Sequence, residues 1–223
     1  MKPVCLIVGA GEGISFAAAK QFIEEGYQVV LVSRTEQKLT AIADKLQSGC
    51  EPGTVTTWVA DVADQAQLTE SVKALSEKLG SVSVMIYNAY VMAAGRASNL
   101  KSDVLENSLK VNVGSALLCA QLVIPSMKSA GAGTIIFTGG GYALSPVANV
   151  AALSVGKAGL RALSKCLFDE LKSSGVHAGT ITVCGIVKPG SAFDPEKIAK
   201  VMMRFHKQKP EESEWEIVFD GAT

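Results

Sequence analysis

Residues 4–15 read Val-Cys-Leu-Ile-Val-Gly-Ala-Gly-Glu-Gly-Ile-Ser. The apolar run Val4–Val8 is typical of a strand that is buried on both faces of a parallel sheet. In the glycine-rich turn that follows, the backbone can approach a pyrophosphate closely, and the next helix offers free N–H groups. An ordinary strand-to-helix turn is the alternative. The position between strand and helix favours a phosphate-binding turn, formed by Gly9, Gly11, Glu12, Gly13 and Ile14.

Strand-like and helix-like segments alternate along the rest of the 223 residues. The predicted strands are Pro3–Val8, Gln28–Val32, Thr54–Val59, Ser83–Tyr87, Thr134–Thr138, one within Val176–Val187, and Glu214–Phe219. The predicted helices are Ser15–Glu25, Glu36–Leu46, Gln65–Leu79, Ser102–Ala130, Val150–Ser173 and Asp194–Gln208. This alternation predicts an α/β fold with a parallel sheet. We expect one domain over residues 1–223, a doubly wound Rossmann-type sheet of about seven strands with helices on both faces.

The composition excludes several classes of protein. Apolar residues make up 48% of the chain, which excludes a disordered or fibrous protein. The 21 basic and 21 acidic side chains balance, so neither nucleic acid nor an anionic membrane is expected as a partner. The run Val4–Val8 is too short to cross a bilayer and lacks the flanks of a signal peptide. We therefore expect a cytoplasmic protein.

The five cysteines form no CxxC pair, and four of them lie within apolar stretches. This pattern favours inert buried thiols over disulfides, metal ligands or a nucleophile. No metal site is expected. The cysteines are Cys5, Cys50, Cys119, Cys166 and Cys184.

The end of the second strand indicates which dinucleotide the turn would accept. NAD-specific folds usually place a carboxylate there to bind the ribose hydroxyls. This chain has Ser33 followed by Arg34, and a guanidinium suits a 2′-phosphate. We predict NADP(H), with NAD(H) less favoured. Glu12 weighs slightly against this prediction, and a solvated loop arginine is the alternative for Arg34.

At the glycine turn the chain resembles the short-chain dehydrogenase/reductase family, whose turn reads TGxxxGxG. Gly9 and Gly13 match the first two glycines of that motif. Val8 replaces its threonine, and Ser15 replaces its last glycine. The resemblance extends from Val4 to Phe219 and implies an NAD(P)-dependent oxidoreductase.

The resemblance assigns further residues to the cofactor. It implies that Asp61 accepts a hydrogen bond from the adenine amino group and that Val62 meets adenine through its backbone. Asp61 and Asp64 both precede a helix, so a helix N-cap is the other interpretation of Asp61, and the two roles are compatible. Asn88 and Ala89 match part of the family's Asn-Asn-Ala-Gly motif. Tyr90 replaces its glycine and brings a bulky side chain near the expected position of the nicotinamide ribose.

Only half of the family's catalytic tetrad of Asn, Ser, Tyr and Lys is present. Asn112 matches the asparagine that holds a relay water, although an asparagine satisfied locally within its helix is the alternative. Lys157 matches the lysine that binds the nicotinamide ribose. Gly140 and Leu153 replace the serine and the tyrosine. Leu153 can transfer no proton.

Neighbouring groups offer partial substitutes for the missing acid. Ser154 points about 100° away from Leu153 around the helix. Tyr142 is a more plausible donor, with a surface aromatic as the alternative, and the backbone N–H groups of residues 139–141 could stabilise an oxyanion. The helix near Asp194 follows the sixth strand almost at once, so we expect an open substrate side without a lid.

Three functions are compatible with these residues. The first is an NADP(H)-dependent oxidoreductase with an altered site and an unknown small-molecule substrate. The second is an NADP(H)-binding sensor or partner subunit without turnover. The third, a scaffold with an empty site, is disfavoured by Arg34, Asp61 and Lys157.

The family resemblance also implies a homodimer or homotetramer. Family members pair through the two long helices, and a contact through the final strand near Trp215 is a further possibility. The second long helix carries leucines at helical spacing, with small residues between them: Leu160, Leu163, Leu167 and Leu171, with Ala158, Gly159 and Ala162.

Overall fold

The computed structural model describes residues 2–222, except for the side chain of Ser76. These residues contain seven strands: β1 (Val4–Val8), β2 (Gln28–Ser33), β3 (Val55–Val59), β4 (Val82–Tyr87), β5 (Gly133–Gly140), β6 (Val176–Val183) and β7 (Glu216–Phe219). All of them pair in parallel, in the order β3-β2-β1-β4-β5-β6-β7. The chain reverses direction across the sheet between β1 and β4, which confirms the predicted doubly wound fold.

The helices cover both faces of the sheet. They are α1 (Ile14–Glu24), α2 (Glu36–Gln47), α3 (Gln65–Leu79), α4 (Ser102–Leu109), α5 (Ser115–Ala130), α6 (Ala151–Leu171) and α7 (Pro195–His206). Neighbouring residues of a strand point to opposite faces. Leu6 of β1 therefore packs in the layer formed with α3, α5 and α6. Ile7 packs in the layer formed with α1, α2 and α7.

The predicted helix Ser102–Ala130 is interrupted by a π-helical turn, Lys110–Gly114, between α4 and α5. The continuous segment has the length and hydropathy of a membrane-crossing helix. One face of its second half packs against the sheet, so core packing accounts for much of its apolar character. The buried residues of α5 include Ala116, Cys119, Ala120, Val123 and Met127.

The prediction of buried cysteines holds for two of the five. Cys5 and Cys119 are buried, and burial raises the pKa of both thiols, that of Cys119 to about 12. Cys50 and Cys184 are half-buried, and Cys166 is exposed on α6. Apolar neighbours suggested burial of Cys166, but those neighbours lie on other faces of the same helix.

The leucines of α6 belong to the interior of the monomer. Leu160, Leu167 and Leu171 are buried against the sheet, and the half-buried Leu163 packs on the same layer. This leucine row is therefore unavailable as a contact between subunits. An interface through α6 has to use the other face of the helix.

Candidate functional site

A cleft of about 620 Å³ opens at the carboxyl edge of the sheet, beside the point where the strand order reverses. Its volume lies in the range of small-molecule sites. Eleven of the thirteen predicted cofactor residues line it: Gly9, Gly11, Gly13, Ile14, Ser33, Arg34, Asp61, Val62, Asn88, Ala89 and Tyr90. The other two, Glu12 and Lys157, are not among the lining residues.

The glycine turn combines a tight backbone contact with an open face. Gly9 has a φ of 87°, and a side chain there would come within 2.3 Å of the Ala89 nitrogen. At Gly11 and Gly13, by contrast, a Cβ would have nothing within 4 Å. Helix α1 begins immediately afterwards, and no side chain of the described part of the chain caps its first turn. Free N–H groups and open space are what a pyrophosphate requires, so the turn fits that group.

Ser15 braces the turn, a role that the sequence did not reveal. Its buried hydroxyl donates to the Gly9 carbonyl at 2.9 Å and accepts from Asn88 Nδ2 at 2.8 Å. The residue that replaces the family's last glycine therefore connects the turn to the loop after β4. The available signal was a small polar residue at the start of an otherwise apolar helix face.

Arg34 lies exposed at the edge of the cleft, immediately after β2. Within residues 2–222, no carboxylate forms an ion pair with it. Glu12, expected at the cofactor, instead forms an ion pair with Lys45 of α2 at 2.9 Å, which lowers the pKa of Glu12. The guanidinium of Arg34 thus keeps its charge available for an anionic ligand, and the acidic residue of the turn is paired elsewhere.

The two aspartates before α3 have separate roles. Asp64 Oδ1 accepts from the N–H of Gln67, as an N-cap does. Asp61 lines the cleft, and its Oδ1 accepts from the N–H of Ala63. Because Asp64 serves as the cap, the alternative explanation of Asp61 as a cap does not apply.

Lys157 is buried beneath Tyr90. Its Nζ donates to the Thr138 carbonyl at 2.7 Å and lies 5.4 Å from the centroid of the Tyr90 ring. Burial lowers the pKa of Lys157 to about 8. Tyr90 is 54% exposed and lines the cleft, whereas Lys157 does not. The tyrosine ring therefore lies over the lysine that the resemblance assigns to the ribose.

Asn112 uses its side-chain amide to hold a neighbouring loop. Its Oδ1 accepts from the N–H of Val91 at 2.9 Å, and its Nδ2 donates to the Val91 carbonyl and to Ser108 Oγ. A side chain at Gly156 would come within 2.7 Å of that nitrogen. Only the bond to Ser108 is local to the helix, and the two bonds to Val91 join Asn112 to the loop after β4, so the amide is satisfied mainly across elements rather than within its helix.

Gly140 leaves room beside Lys157. Strand β5 runs two residues further than predicted, and Gly140 pairs with Val183 of β6. A Cβ at Gly140 would meet Lys157 Cε at 3.7 Å, an ordinary contact, whereas one at Gly139 would clash with Thr180 Oγ1 at 2.5 Å. A serine could therefore be accommodated at position 140 and would face the lysine side chain.

Neither Ser154 nor Tyr142, the side chains considered as substitutes for the missing tyrosine, lines the cleft within the described residues. Leu153 is buried, and Ser154 Oγ accepts from the N–H of Val147. Tyr142 lies in a short 3-10 turn, is 38% exposed and does not line the cleft. Ser154 is thus occupied by a bond to the loop before α6, and the ring that contacts Lys157 is that of Tyr90.

The strand order and the glycine turn at its switch point define a Rossmann-type α/β protein. The chain belongs to the short chain dehydrogenase family, whose model matches residues 3–196. It is 29% identical over 215 residues to a glucose 1-dehydrogenase of Gluconobacter oxydans, covering 93% of this chain and 79% of that protein.

Solved structures share the fold. One is a metagenomic short-chain oxidoreductase in complex with NADP, with a TM-score of 0.86, 24% identity and coverage of 97% of this chain and 96% of that one. Another is ElxO with NADP bound, with a TM-score of 0.89, 19% identity and coverage of 99% and 98%. Both resemble this chain over nearly their full length.

Proposed function

We propose that this protein is an NADP(H)-binding oxidoreductase of the short chain dehydrogenase family with an altered catalytic site. The observation that carries the proposal is Arg34, a guanidinium without an ion-pair partner among residues 2–222, at the edge of the cleft that contains the glycine turn. The turn and the N-terminus of α1 would hold the pyrophosphate, Arg34 the 2′-phosphate, and Asp61 and Val62 the adenine. When bound, the cofactor supplies hydride-transfer chemistry.

Two further observations support NADP(H) over NAD(H). Strand β2 ends at Ser33, so no carboxylate stands at the usual site of ribose recognition. Glu12, the nearest acidic residue of the turn, is paired with Lys45. Two neighbours of the same fold carry NADP in their structures, in line with this proposal.

Calorimetric titration with NADP⁺ and NAD⁺ tests the proposal. A charge-assisted bond to phosphate contributes about 1.5–3 kcal/mol, so Arg34→Ala should weaken NADP⁺ binding about 10- to 100-fold and leave NAD⁺ nearly unchanged. Arg204→Ala, an exposed arginine on α7, is the matched control and should change neither affinity. Equal affinities of the wild type for the two cofactors would refute the preference for NADP(H).

One observation favours the second candidate function, an NADP(H)-binding sensor or partner subunit without turnover. Gly140 and Leu153 stand at the serine and tyrosine positions, and Tyr90 lies over Lys157. The protein would then keep the cofactor half of the family's function and lose the carbonyl chemistry. We further propose a cytoplasmic homo-oligomer, and the substrate is left open.

A further inference from the structure

The Lys157 ammonium lies between two groups that the cofactor does not supply. On one side it donates to the Thr138 carbonyl at 2.7 Å, and on the other it faces the Tyr90 ring at 5.4 Å from the centroid. That distance lies within the range of a cation–π contact. The Tyr90 ring therefore occupies space next to Lys157, the lysine that the family resemblance assigns to the nicotinamide ribose.

The backbone on both sides of Tyr90 is fixed by contacts with other elements. Before it, Asn88 Nδ2 donates to Ser15 Oγ, and Ala89 packs against Gly9 so closely that no side chain fits there. After it, Val91 is held through both its N–H and its carbonyl by Asn112. The loop cannot shift readily, so only rotation of the half-exposed Tyr90 side chain would uncover Lys157.

We propose that Tyr90 determines which part of the dinucleotide the cleft recognises. The inference rests on the proposed function. The glycine turn, Arg34 and Asp61 bind the half that carries the adenosine, the 2′-phosphate and the pyrophosphate. The Tyr90 ring fills the space beside Lys157, so the nicotinamide nucleoside adds little affinity in the wild type.

Binding of two ligands separates the two halves of the site. NADP⁺ contains both halves, and adenosine 5′-diphosphate with a 2′-phosphate (2′-phospho-ADP) lacks the nicotinamide nucleoside. We expect wild-type dissociation constants for the two ligands within about threefold of each other. Tyr90→Gly should tighten NADP⁺ binding about tenfold or more and change 2′-phospho-ADP binding less than about twofold.

Three variants act as controls. Tyr90→Phe keeps the ring and should behave like the wild type. Tyr142→Gly removes a half-exposed tyrosine outside the cleft and should also leave both affinities unchanged. Tyr90→Ala replaces Tyr90→Gly if the glycine variant melts at a lower temperature than the wild type, and the same tightening is expected.

The outcomes distinguish this inference from the proposed function. If the wild type binds neither ligand, the proposed function fails and this inference fails with it. If both ligands bind but NADP⁺ already binds tenfold more tightly to the wild type, only the role of Tyr90 is refuted. The same holds if the small variants leave the ratio of affinities unchanged, or if Tyr90→Phe behaves like Tyr90→Gly.

Discussion

Lys157 is a buried amine that lacks the tyrosine partner its family position implies. Leu153, one helical turn earlier, offers it no hydrogen bond, and the ammonium instead donates to the Thr138 carbonyl. Removing an ammonium group from water costs free energy, which is why burial lowers the pKa of Lys157 to about 8 from its ordinary 10.5. The charged form therefore destabilises the folded state at neutral pH.

This destabilisation predicts a pH dependence of stability. Between pH 8 and 10.5 the unfolded chain binds more protons at Lys157 than the folded chain, so the free energy of unfolding should rise with pH in that window. At 1.36 kcal/mol per pKa unit, the rise amounts to at most about 3 kcal/mol. Lys157→Met should abolish it. Urea unfolding of both proteins from pH 7 to 10.5 measures the difference.

Other side chains titrate between pH 8 and 10.5. The control variant therefore has to keep Lys157 and lose a different lysine. Lys165→Met removes a lysine of α6 that forms an exposed ion pair with Asp169. Its stability should follow the wild-type pH profile. A difference between the wild type and Lys157→Met that stays constant with pH would show that Lys157 carries no such penalty.

At the level of elements, the end of β5 and the first turns of α6 form the altered half of the site. Gly140, the last residue of β5, leaves space against the Lys157 side chain, and Leu153 lies one turn before that lysine. The backbone positions of the missing serine and tyrosine, Gly140 and Leu153, are therefore still present beside Lys157. Restoring those groups tests whether their loss limits turnover.

We expect negligible reduction of simple ketones and aldehydes by the wild type, because a carbonyl that gains hydride needs a proton donor. Gly140→Ser with Leu153→Tyr should restore the donor but leave Tyr90 over Lys157. The triple variant, which also carries Tyr90→Gly, should turn over about 10²–10⁴-fold faster than the single variant Tyr90→Gly. This factor is the usual contribution of general acid catalysis. NADPH oxidation with a carbonyl panel measures this.

Two results would contradict this account of the proton path. The triple variant could prove no faster than Tyr90→Gly despite binding NADPH. Alternatively, the wild type could reduce carbonyls well and lose that activity on Tyr142→Phe, in which case Tyr142 would be the acid. Robust wild-type activity that survives Tyr142→Phe would exclude both donors.

The elements could be predicted where the signal is local. Short apolar runs revealed the strands, and Asp194 before Pro195 marked the start of α7, where the aspartate caps the helix as its position suggests. The π-helical turn Lys110–Gly114 and the extension of β5 to Gly140 could not be predicted. The extension of β5 depends on pairing with β6, and the π-helical turn is a local change to i→i+5 bonding inside a helix, so neither leaves a period in the sequence.

The same division applies to the site. Residues of the glycine turn and of the strand ends could be predicted, because the carboxyl ends of neighbouring parallel strands meet at one edge. The contacts of Ser15 with Asn88 and of Asn112 with Val91 could not be predicted. Tyr90 and Lys157 were both expected near the nicotinamide ribose, but their direct contact was not. Each partner has an ordinary local context, so only the folded chain reveals the pair.

At the scale of the whole molecule, the outer face of α6 is a candidate contact between subunits. The exposed residues Val155, Ala158, Ala162 and Cys166 follow one another at helical spacing, on the face opposite the buried leucines. Small side chains allow two helices to approach closely. This face replaces the leucine row as the part of α6 available for pairing.

We predict a homodimer or homotetramer at micromolar concentration that Ala162→Arg converts to a smaller species. The arginine would place a charge and a long side chain in a close helix contact, a change that an interface does not tolerate. Ala41→Arg on the exposed face of α2 is the matched control and should leave the assembly intact. Light scattering of a monomeric wild type would refute the prediction.

The central place of β1 has a consequence for synthesis on the ribosome. One edge of β1 pairs with β2, and its other edge pairs with β4. Residues 34–81, which lie between β2 and β4, must therefore be translated before that second edge can pair. At typical elongation rates this takes about 2–10 seconds. During that interval the nascent chain presents an unpaired strand of five apolar residues, which invites association with other chains. The order of the strands thus leaves one edge of β1 without its native partner until β4 has been made.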